Sequence, residues 1–197
     1  VPGTDMAGVV EAVGASVTAF KPGDEVVGET NRKTQWTNAG AFAEYVAAPA
    51  IKLALKPSRL SFEEAASVPT SGCIAYMGIH EEGSVEPGQK VLVNGAGGGV
   101  GMFALQIAKA AGGEVTGVDS TEKQDLLRSL GADHVIDYTA TDFTQGTQRY
   151  DFIIDIPGNH PLGAIRRALT RDGGYVFIGH DQFGARGSKW IGSMGRF

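Results

Sequence analysis

The chain has 197 residues, of which 42% are hydrophobic and 20% are charged, a balance typical of a folded protein with a buried core. Its formal net charge of −5 argues against a nucleic-acid-binding protein, which usually carries a basic face. Glycine contributes 29 residues, about twice its usual share of roughly 7%, so tight turns and close backbone approaches are expected.

Cysteine content and hydropathy exclude several further classes of protein. Cys73 is the only cysteine, which excludes an internal disulfide and a cysteine-rich zinc site. No apolar run reaches the roughly 18 residues that a membrane span needs, so no membrane partner is expected. The single cysteine leaves the redox compartment open, and a cytoplasmic location is the default expectation. The chain starts at Val1 without a basic region, so no signal peptide is predicted, and both ends suggest an internal fragment.

Residues 1–57 have the pattern of a small β-structure. The predicted strands are residues 8–12, 25–28, 42–46 and 51–55, and a Pro-Gly turn precedes the second. Short strands separated by Gly and Pro turns predict a small barrel or sandwich.

After residue 57 the pattern changes to alternating strands and helices. Ser61 and Glu64 form a capping box for a helix to residue 67, and a second helix is predicted over 70–81. The predicted strands then cover residues 90–95, 114–119, 134–137, 150–156 and 174–179, and the predicted helices cover 99–111, 121–130 and 160–169. This alternation predicts an α/β fold with a doubly wound parallel sheet.

Several residues predict where these helices begin and end. Thr121 and Gln124 could form a second capping box, and Pro161 suits the first helical position. Gly112 and Gly131 follow predicted helices at positions that favour left-handed backbone.

The segment VLVNGAGGGVG at 91–101 carries the strongest functional signal. An all-apolar strand leads into Gly95, Gly97 and Gly98, which allow a tight turn and close backbone approach to a pyrophosphate. Gly101 falls inside the predicted helix, where it indicates close packing of the helix against the strand. The first turn of the helix would direct its free N–H groups at the phosphates.

An acidic residue at the end of the next strand supports a dinucleotide site. Asp119 lies 18 residues after Gly101, close to the spacing of about 20 expected for a ribose-binding carboxylate. A flexible glycine loop and the loop of an S-adenosylmethionine methyltransferase are the alternatives. The β-rich segment before residue 57 and Gly101 within the helix disfavour the methyltransferase.

Eight motifs together resemble the medium-chain dehydrogenase/reductase superfamily, in its zinc-free, zeta-crystallin-like quinone oxidoreductase branch. The motifs are PGTDMAGVVEAVG (2–14), FKPGDEVVG (20–28), GAFAEYV (40–46), FEEAASVP (62–69), VLVNGAGGGVG (91–101), RSLGADHVIDY (128–138), YDFIID (150–155) and GGYVFIG (173–179). The resemblance implies a partial GroES-like catalytic domain over 1–57 and a C-terminally incomplete Rossmann domain over 58–197.

The resemblance also bears on metal. Zinc enzymes of this superfamily carry His-Glu where this chain has Thr4 and Asp5, and a metal-binding Cys where it has Thr70. We therefore expect no metal, and we expect Cys73 to be a small buried hydrophobic residue. His180, after the last predicted strand, is a weaker candidate for contact with substrate or cofactor.

The implied cofactor is NADP(H), with NAD(H) as a second possibility. Asp119 favours NAD because a carboxylate repels a 2′-phosphate, whereas Lys123 and Tyr138 match positions that hold the 2′-phosphate in NADPH-using relatives. The candidate cofactor-binding residues are Gly95, Ala96, Gly97, Gly98, Gly99, Val100, Gly101, Asp119, Ser120, Thr121, Lys123, Tyr138, Gly158 and Gly179.

The predicted function is metal-free transfer of hydride from NAD(P)H to a quinone, enone or alkenal. The alternatives are a zinc-free alcohol dehydrogenase-like enzyme, and a crystallin-like or redox-sensing protein that binds the nucleotide without turnover. No catalytic residue is identified, and water is the candidate proton donor. The resemblance implies a homodimer for the full-length protein.

Overall fold

The computed structural model describes residues 2–31, 40–81 and 85–179. The chain divides into two compact units, Val1–Cys73 and Ile74–Phe197. No helix of the described ranges is long and apolar enough to cross a membrane. His180 lies outside the described residues.

The first unit contains a three-stranded antiparallel sheet. Its strands are β1 (Asp5–Val9), β2 (Glu25–Glu29) and β3 (Leu53–Leu55), in the order β1-β2-β3. A 3-10 turn, Ala50–Lys52, replaces the first part of the strand predicted over 51–55. Strand β1 begins and ends three residues before the predicted 8–12, because Asp5 pairs with Glu29 and Val9 with Glu25.

The strand predicted over residues 42–46 is wrong. Residues 42–45 form bends, and Phe42 and Tyr45 are 75% and 77% exposed. The backbone N–H of Phe42 donates to the carbonyl of Pro2 at 3.1 Å, a loop contact and not a ladder. The aromatic and β-branched residues of this segment therefore do not form a strand in the described residues.

Two helices follow the sheet. Helix α1 (Phe62–Ala66) begins with the predicted capping box, in which Ser61 Oγ accepts from the Glu64 N–H at 3.1 Å and Glu64 Oε2 accepts from the Ser61 N–H at 2.9 Å. Helix α2 (Pro69–Tyr76) continues into a π-helical turn, Met77–Glu81, which together span the predicted 70–81.

The second unit is a five-stranded parallel sheet with helices on both faces, which confirms the predicted fold class. The strands are β4 (Lys90–Asn94), β5 (Glu114–Asp119), β6 (His134–Asp137), β7 (Tyr150–Asp155) and β8 (Leu169–Phe177), in the order β6-β5-β4-β7-β8. The helices are α3 (Gly99–Ala110), α4 (Gln124–Ser129) and α5 (Leu162–Ala168).

Alternate residues of the same strands bury into two separate cores, as expected for a sheet covered on both faces. Val91 and Val93 pack with Leu105 of α3, whereas Leu92 packs with Ile165 of α5, and all five are at most 1% exposed. The all-apolar strand at 91–93 is thus explained by burial on both sides.

Two details of the helix ends differ from the prediction. The second capping box is wrong, because the Thr121 hydroxyl donates to Asp137 and the Gln124 side-chain amide donates to the Ile136 carbonyl at 3.2 Å. A 3-10 turn, Thr121–Lys123, therefore precedes α4. Pro161 is the N-cap of α5 and not its first residue.

The predicted glycine positions after α3 and α4 are confirmed. Gly112 and Gly131 have φ of +88° and +98°, the left-handed backbone that ends a helix.

Strand β8 begins at Leu169, directly after α5 and five residues before the predicted start at residue 174.

Candidate functional site

Polar residues end four strands at the carboxyl edge of the parallel sheet. Asn94 ends β4, Asp119 ends β5, Asp137 ends β6 and Asp155 ends β7. The chain crosses from β4 to β5 on one side, and β7 lies on the other side of β4. Ligands of open α/β sheets bind outside such a reversal of strand order, so this edge is the candidate site.

The glycine loop turns tightly between β4 and α3. Gly95 has a φ of +80°, and the backbone N–H groups of Gly95 and Ala96 both donate to the Val118 carbonyl at 3.0 Å. Ala96 is fully buried. The loop is thereby fastened to the end of β5, next to the candidate ribose-binding carboxylate.

The start of α3 is open to an anion. The hydrogen bond from Met102 N–H to the Gly98 carbonyl, at 2.9 Å, is the first of the helical pattern. The first-turn N–H groups of Gly99, Val100 and Gly101 have no helical carbonyl to pair with. A Cβ at Gly98 would contact only the Gly95 carbonyl, at 3.4 Å, so this glycine leaves room for a diphosphate. These residues fit a dinucleotide.

Asp119 is turned toward the glycine loop. Its Oδ2 accepts from the Gly97 N–H at 2.7 Å, and its Oδ1 accepts from the Ser120 N–H at 2.8 Å. The Lys123 ammonium lies 3.5 Å from Oδ1. A Cβ at Gly97 would lie 2.4 Å from Lys123 Cδ, so this lysine covers the second glycine of the loop.

A further carboxylate, which was not predicted from the sequence, lies at the end of β6, beside Asp119 at the end of β5. Asp137 accepts from the hydroxyls of Thr121 and Thr139 and from the Thr139 N–H, and these hydrogen bonds hold its pKa below the usual value. Tyr138 is exposed, and its N–H donates to the Asp119 carbonyl at 3.2 Å. Asp137 ends β6, the strand that pairs with β5, and this position in the sequence could have identified it as a candidate.

The candidates Gly158 and Gly179 lie together on the other side of Gly95. Gly158 has a φ of +64°, and a Cβ there would lie 1.9 Å from the Phe177 ring. A Cβ at Gly179 would lie 1.3 Å from the Ile156 carbonyl oxygen. Both glycines are therefore required by the packing of the loop after β7 against the end of β8.

A buried carboxylate, also missed from sequence, connects these loops. Asp155 is fully buried, and its Oδ1 accepts from Asn94 Nδ2 and from the Gly158 N–H, both at 2.9 Å. The Tyr175 hydroxyl donates to its Oδ2 at 3.1 Å. Burial, together with the charge of Asp155, raises the pKa of Tyr175, so its hydroxyl stays protonated and donates.

The first unit brings the two positions matched to metal ligands side by side. Asp5 Oδ2 accepts from the Thr70 N–H at 3.1 Å, and its Oδ1 accepts from the Thr70 hydroxyl at 2.5 Å and the Thr4 hydroxyl at 3.1 Å. Zinc prefers nitrogen and sulfur ligands, and neutral hydroxyls that donate to a carboxylate do not fit it. Within the described residues, no group of three or more His, Cys, Asp or Glu could hold a metal ion.

The expectation that Cys73 is buried is wrong. The thiol is exposed and lines an apolar groove of about 570 Å³ in the first unit, together with Val27, Leu53, Ala65 and Val68. Partial desolvation, and then the charges of Glu29 and Asp5, raise the pKa of the Cys73 thiol. The thiol is therefore protonated at neutral pH.

Comparison with known proteins agrees with this geometry. Residues 1–58 match the family model of the alcohol dehydrogenase GroES-like domain, and residues 99–189 match that of the zinc-binding dehydrogenase. The chain belongs to the medium-chain dehydrogenase/reductase superfamily. Its relatives include quinone oxidoreductases and enone or alkenal reductases, which confirms the predicted quinone oxidoreductase branch.

Three relatives illustrate the match. The chain is 40% identical over 182 residues to the 2-methylene-furan-3-one reductase of Solanum lycopersicum, covering 90% of this chain and 46% of that protein. It is 40% identical over 162 residues to the chloroplastic NADPH-dependent alkenal/one oxidoreductase of Arabidopsis thaliana, covering 80% and 42%. The quinone oxidoreductase structure from Pseudomonas syringae matches with a TM-score of 0.78 at 32% identity, covering 90% and 55%. The chain thus spans about half the length of these relatives.

Proposed function

We propose that this chain is the cofactor-binding part of an NAD(P)H-dependent reductase of quinones, enones or alkenals. The observation that carries the proposal is the start of α3, where Gly98 leaves space and first-turn N–H groups face the carboxyl edge of the sheet. The names of the relatives, which include an alkenal/one oxidoreductase and a quinone oxidoreductase, support the substrate class.

The chain's own residues bind and orient in this proposal, and the nicotinamide supplies the hydride. The N–H groups at Gly99, Val100 and Gly101 hold the diphosphate through charge-assisted hydrogen bonds and the positive end of the helix dipole. Asp119 and Lys123 face the adenosine ribose from the end of β5.

Titration and turnover test the proposal in two steps. NADPH and NADH are titrated against the chain by fluorescence, and NADPH consumption by the full-length protein is then followed with a quinone, an enone and an alkenal. The oxidation of a primary alcohol by NADP+ is the reverse control. For the full-length protein, consumption with the carbonyl substrates supports the reductase, alcohol oxidation supports the alcohol dehydrogenase-like alternative, and binding without turnover supports the nucleotide-binding alternative.

Elemental analysis is expected to find far less than one zinc per chain. Thr4 and Thr70 offer hydroxyls where a site would need deprotonated or neutral nitrogen and sulfur donors, so little binding energy is available. The measurement is made on protein that is purified without chelators, incubated with zinc and then dialysed against zinc-free buffer. Stoichiometric zinc that survives dialysis would contradict the metal-free mechanism.

Cofactor choice is expected to be dual, with a mild preference for NADPH. Lys123→Ala should weaken NADPH binding about fivefold and leave NADH unchanged, because an exposed ion pair with a phosphate is worth about 1 kcal/mol and is screened by salt. Asp119→Ser should strengthen NADPH binding, because it removes a like charge and releases Lys123 from its ion pair. For each variant, the NADPH and NADH affinities are measured by titration at low and high salt.

Lys109→Ala is the matched control for Lys123→Ala. Lys109 also forms an ion pair, with Asp133 at 2.7 Å, but that pair lies near the start of β5, at the opposite edge of the sheet. Its removal should leave both affinities unchanged. If Asp119→Ser and Lys123→Ala also left the NADPH to NADH ratio unchanged, the ribose would bind elsewhere.

Three further proposals rest on the family resemblance, the first for this chain and the other two for the full-length protein. They are a domain boundary between residues 57 and 58, homodimerisation at full length, and a cytoplasmic location. Size-exclusion chromatography of the full-length protein tests the second.

A further inference from the structure

A fully buried carboxylate without a cation needs a reason. Asp155 is 0% exposed, and none of the ion pairs among the described residues includes it. Burying a charge is costly, and a well-packed apolar residue at such a position is often neutral or stabilising. The contacts of Asp155 therefore indicate what the residue contributes.

Those contacts join two loops at the carboxyl edge. One oxygen, Oδ1, accepts from Asn94, which directly precedes the glycine loop, and from the Gly158 N–H in the loop after β7. Asn94 Nδ2 also lies 3.3 Å from Oδ1 of the exposed Asn159. This acceptor, together with the hydrogen bond from the Ile156 N–H to the Asn94 carbonyl at 3.1 Å, holds loop 156–159 against the residue that precedes the glycine loop.

The direction of a bound dinucleotide follows from the strand order. In the proposed function the adenosine half would lie toward β5, where Asp119 and Lys123 are, and the diphosphate would lie at the start of α3 beside β4. The remaining half must extend over the ends of β7 and β8, because a dinucleotide crosses the point at which strand order reverses. Loop 156–159 occupies that side.

We propose that Asp155 is a positioning residue for the nicotinamide half of the cofactor, acting through Asn94 and the Gly158 N–H. This inference rests on the proposed function. The carboxylate holds loop 156–159 in the cofactor-ready position before binding, so less ordering is required when the dinucleotide arrives.

Two ligands separate this role from a general loss of structure. NADPH has both halves, whereas 2′,5′-ADP carries the adenosine half alone. Asn94→Ala and Asp155→Ala should weaken NADPH about tenfold or more, because loop hydrogen bonds to a charged acceptor are lost, and leave 2′,5′-ADP within about twofold. Affinities are measured by calorimetry on the whole chain.

A conservative variant and a matched control complete the test. Asp155→Asn should bind NADPH nearly as the wild type, since its oxygen can face Asn94 and Gly158 and its amide can donate to a rotated Tyr175 hydroxyl. Tyr150→Phe removes the hydroxyl of a buried tyrosine, which pairs with Thr116 at the opposite edge of the sheet, and should change neither affinity.

The outcomes that overturn the inference are specific. Unchanged NADPH affinity in folded Asn94→Ala overturns it, and so does an equal loss of both ligands in that variant. Asn94→Ala keeps the test decisive if Asp155→Ala does not fold. If the wild type bound neither ligand, the proposed function itself would fail.

Discussion

Gly98→Val is expected to abolish most NADPH binding while the chain stays folded. The valine side chain would stand at the start of α3, where the diphosphate must approach the first-turn N–H groups. Loss of two charge-assisted hydrogen bonds of about 1.5–3 kcal/mol each weakens binding about a hundredfold or more. Fluorescence titration with NADPH measures the change.

The fold should tolerate this substitution for reasons visible at the site. Gly98 has φ −88° and ψ 171°, an extended backbone that any residue adopts, and a Cβ there would meet only one atom, at 3.4 Å. Gly163→Val, in α5 where a Cβ would meet nothing within 4 Å, is the matched control and should bind NADPH normally. Wild-type affinity in a folded Gly98→Val chain would exclude this loop as the diphosphate site.

The parallel sheet could be predicted from sequence because burial on both faces leaves a direct signal. The run at 91–93 is apolar at every position, and Val91, Leu92 and Val93 are all fully buried. Local signals were equally informative where neighbours in sequence satisfy each other, as at the capping box of Ser61 and Glu64. Such features need no knowledge of distant residues.

The parts that sequence could not show depend on contacts between distant residues. Asn94 and Asp155 are 61 positions apart and meet only because β4 and β7 pair in parallel. The same limit explains two other differences. The Asp119 carboxylate faces the Gly97 N–H, and residues 42–46 have no partner strand in the described chain.

The orientation of Asp119 changes what its charge means for cofactor choice. Two backbone N–H groups and the Lys123 ammonium already surround the carboxylate. Its repulsion of a 2′-phosphate is therefore reduced, and so is the attraction that Lys123 can offer. Selectivity between NADPH and NADH then depends on how far binding separates this pair, which is why paired substitutions and salt dependence are informative.

Gly101 is expected to be the position in α3 where even one methyl group destabilises the fold. A Cβ there would lie 2.1 Å from the Gly95 carbonyl oxygen and 2.7 Å from Ala96 Cα, which are backbone atoms. These atoms cannot move unless the whole glycine loop shifts from β5, where the N–H groups of Gly95 and Ala96 are fastened.

Gly101→Ala should therefore lower the free energy of unfolding by about 2–4 kcal/mol. At an exposed helix position without such contacts, the same change would stabilise the helix by about 1 kcal/mol. Gly163→Ala makes the same change in α5, where a Cβ has open space, and should raise the free energy of unfolding by up to about 1 kcal/mol. Chemical denaturation of the two variants and the wild type measures both changes in the free energy of unfolding. A Gly101→Ala chain that matched the wild type in stability and in NADPH affinity would show that the glycine loop does not pack on α3 as described.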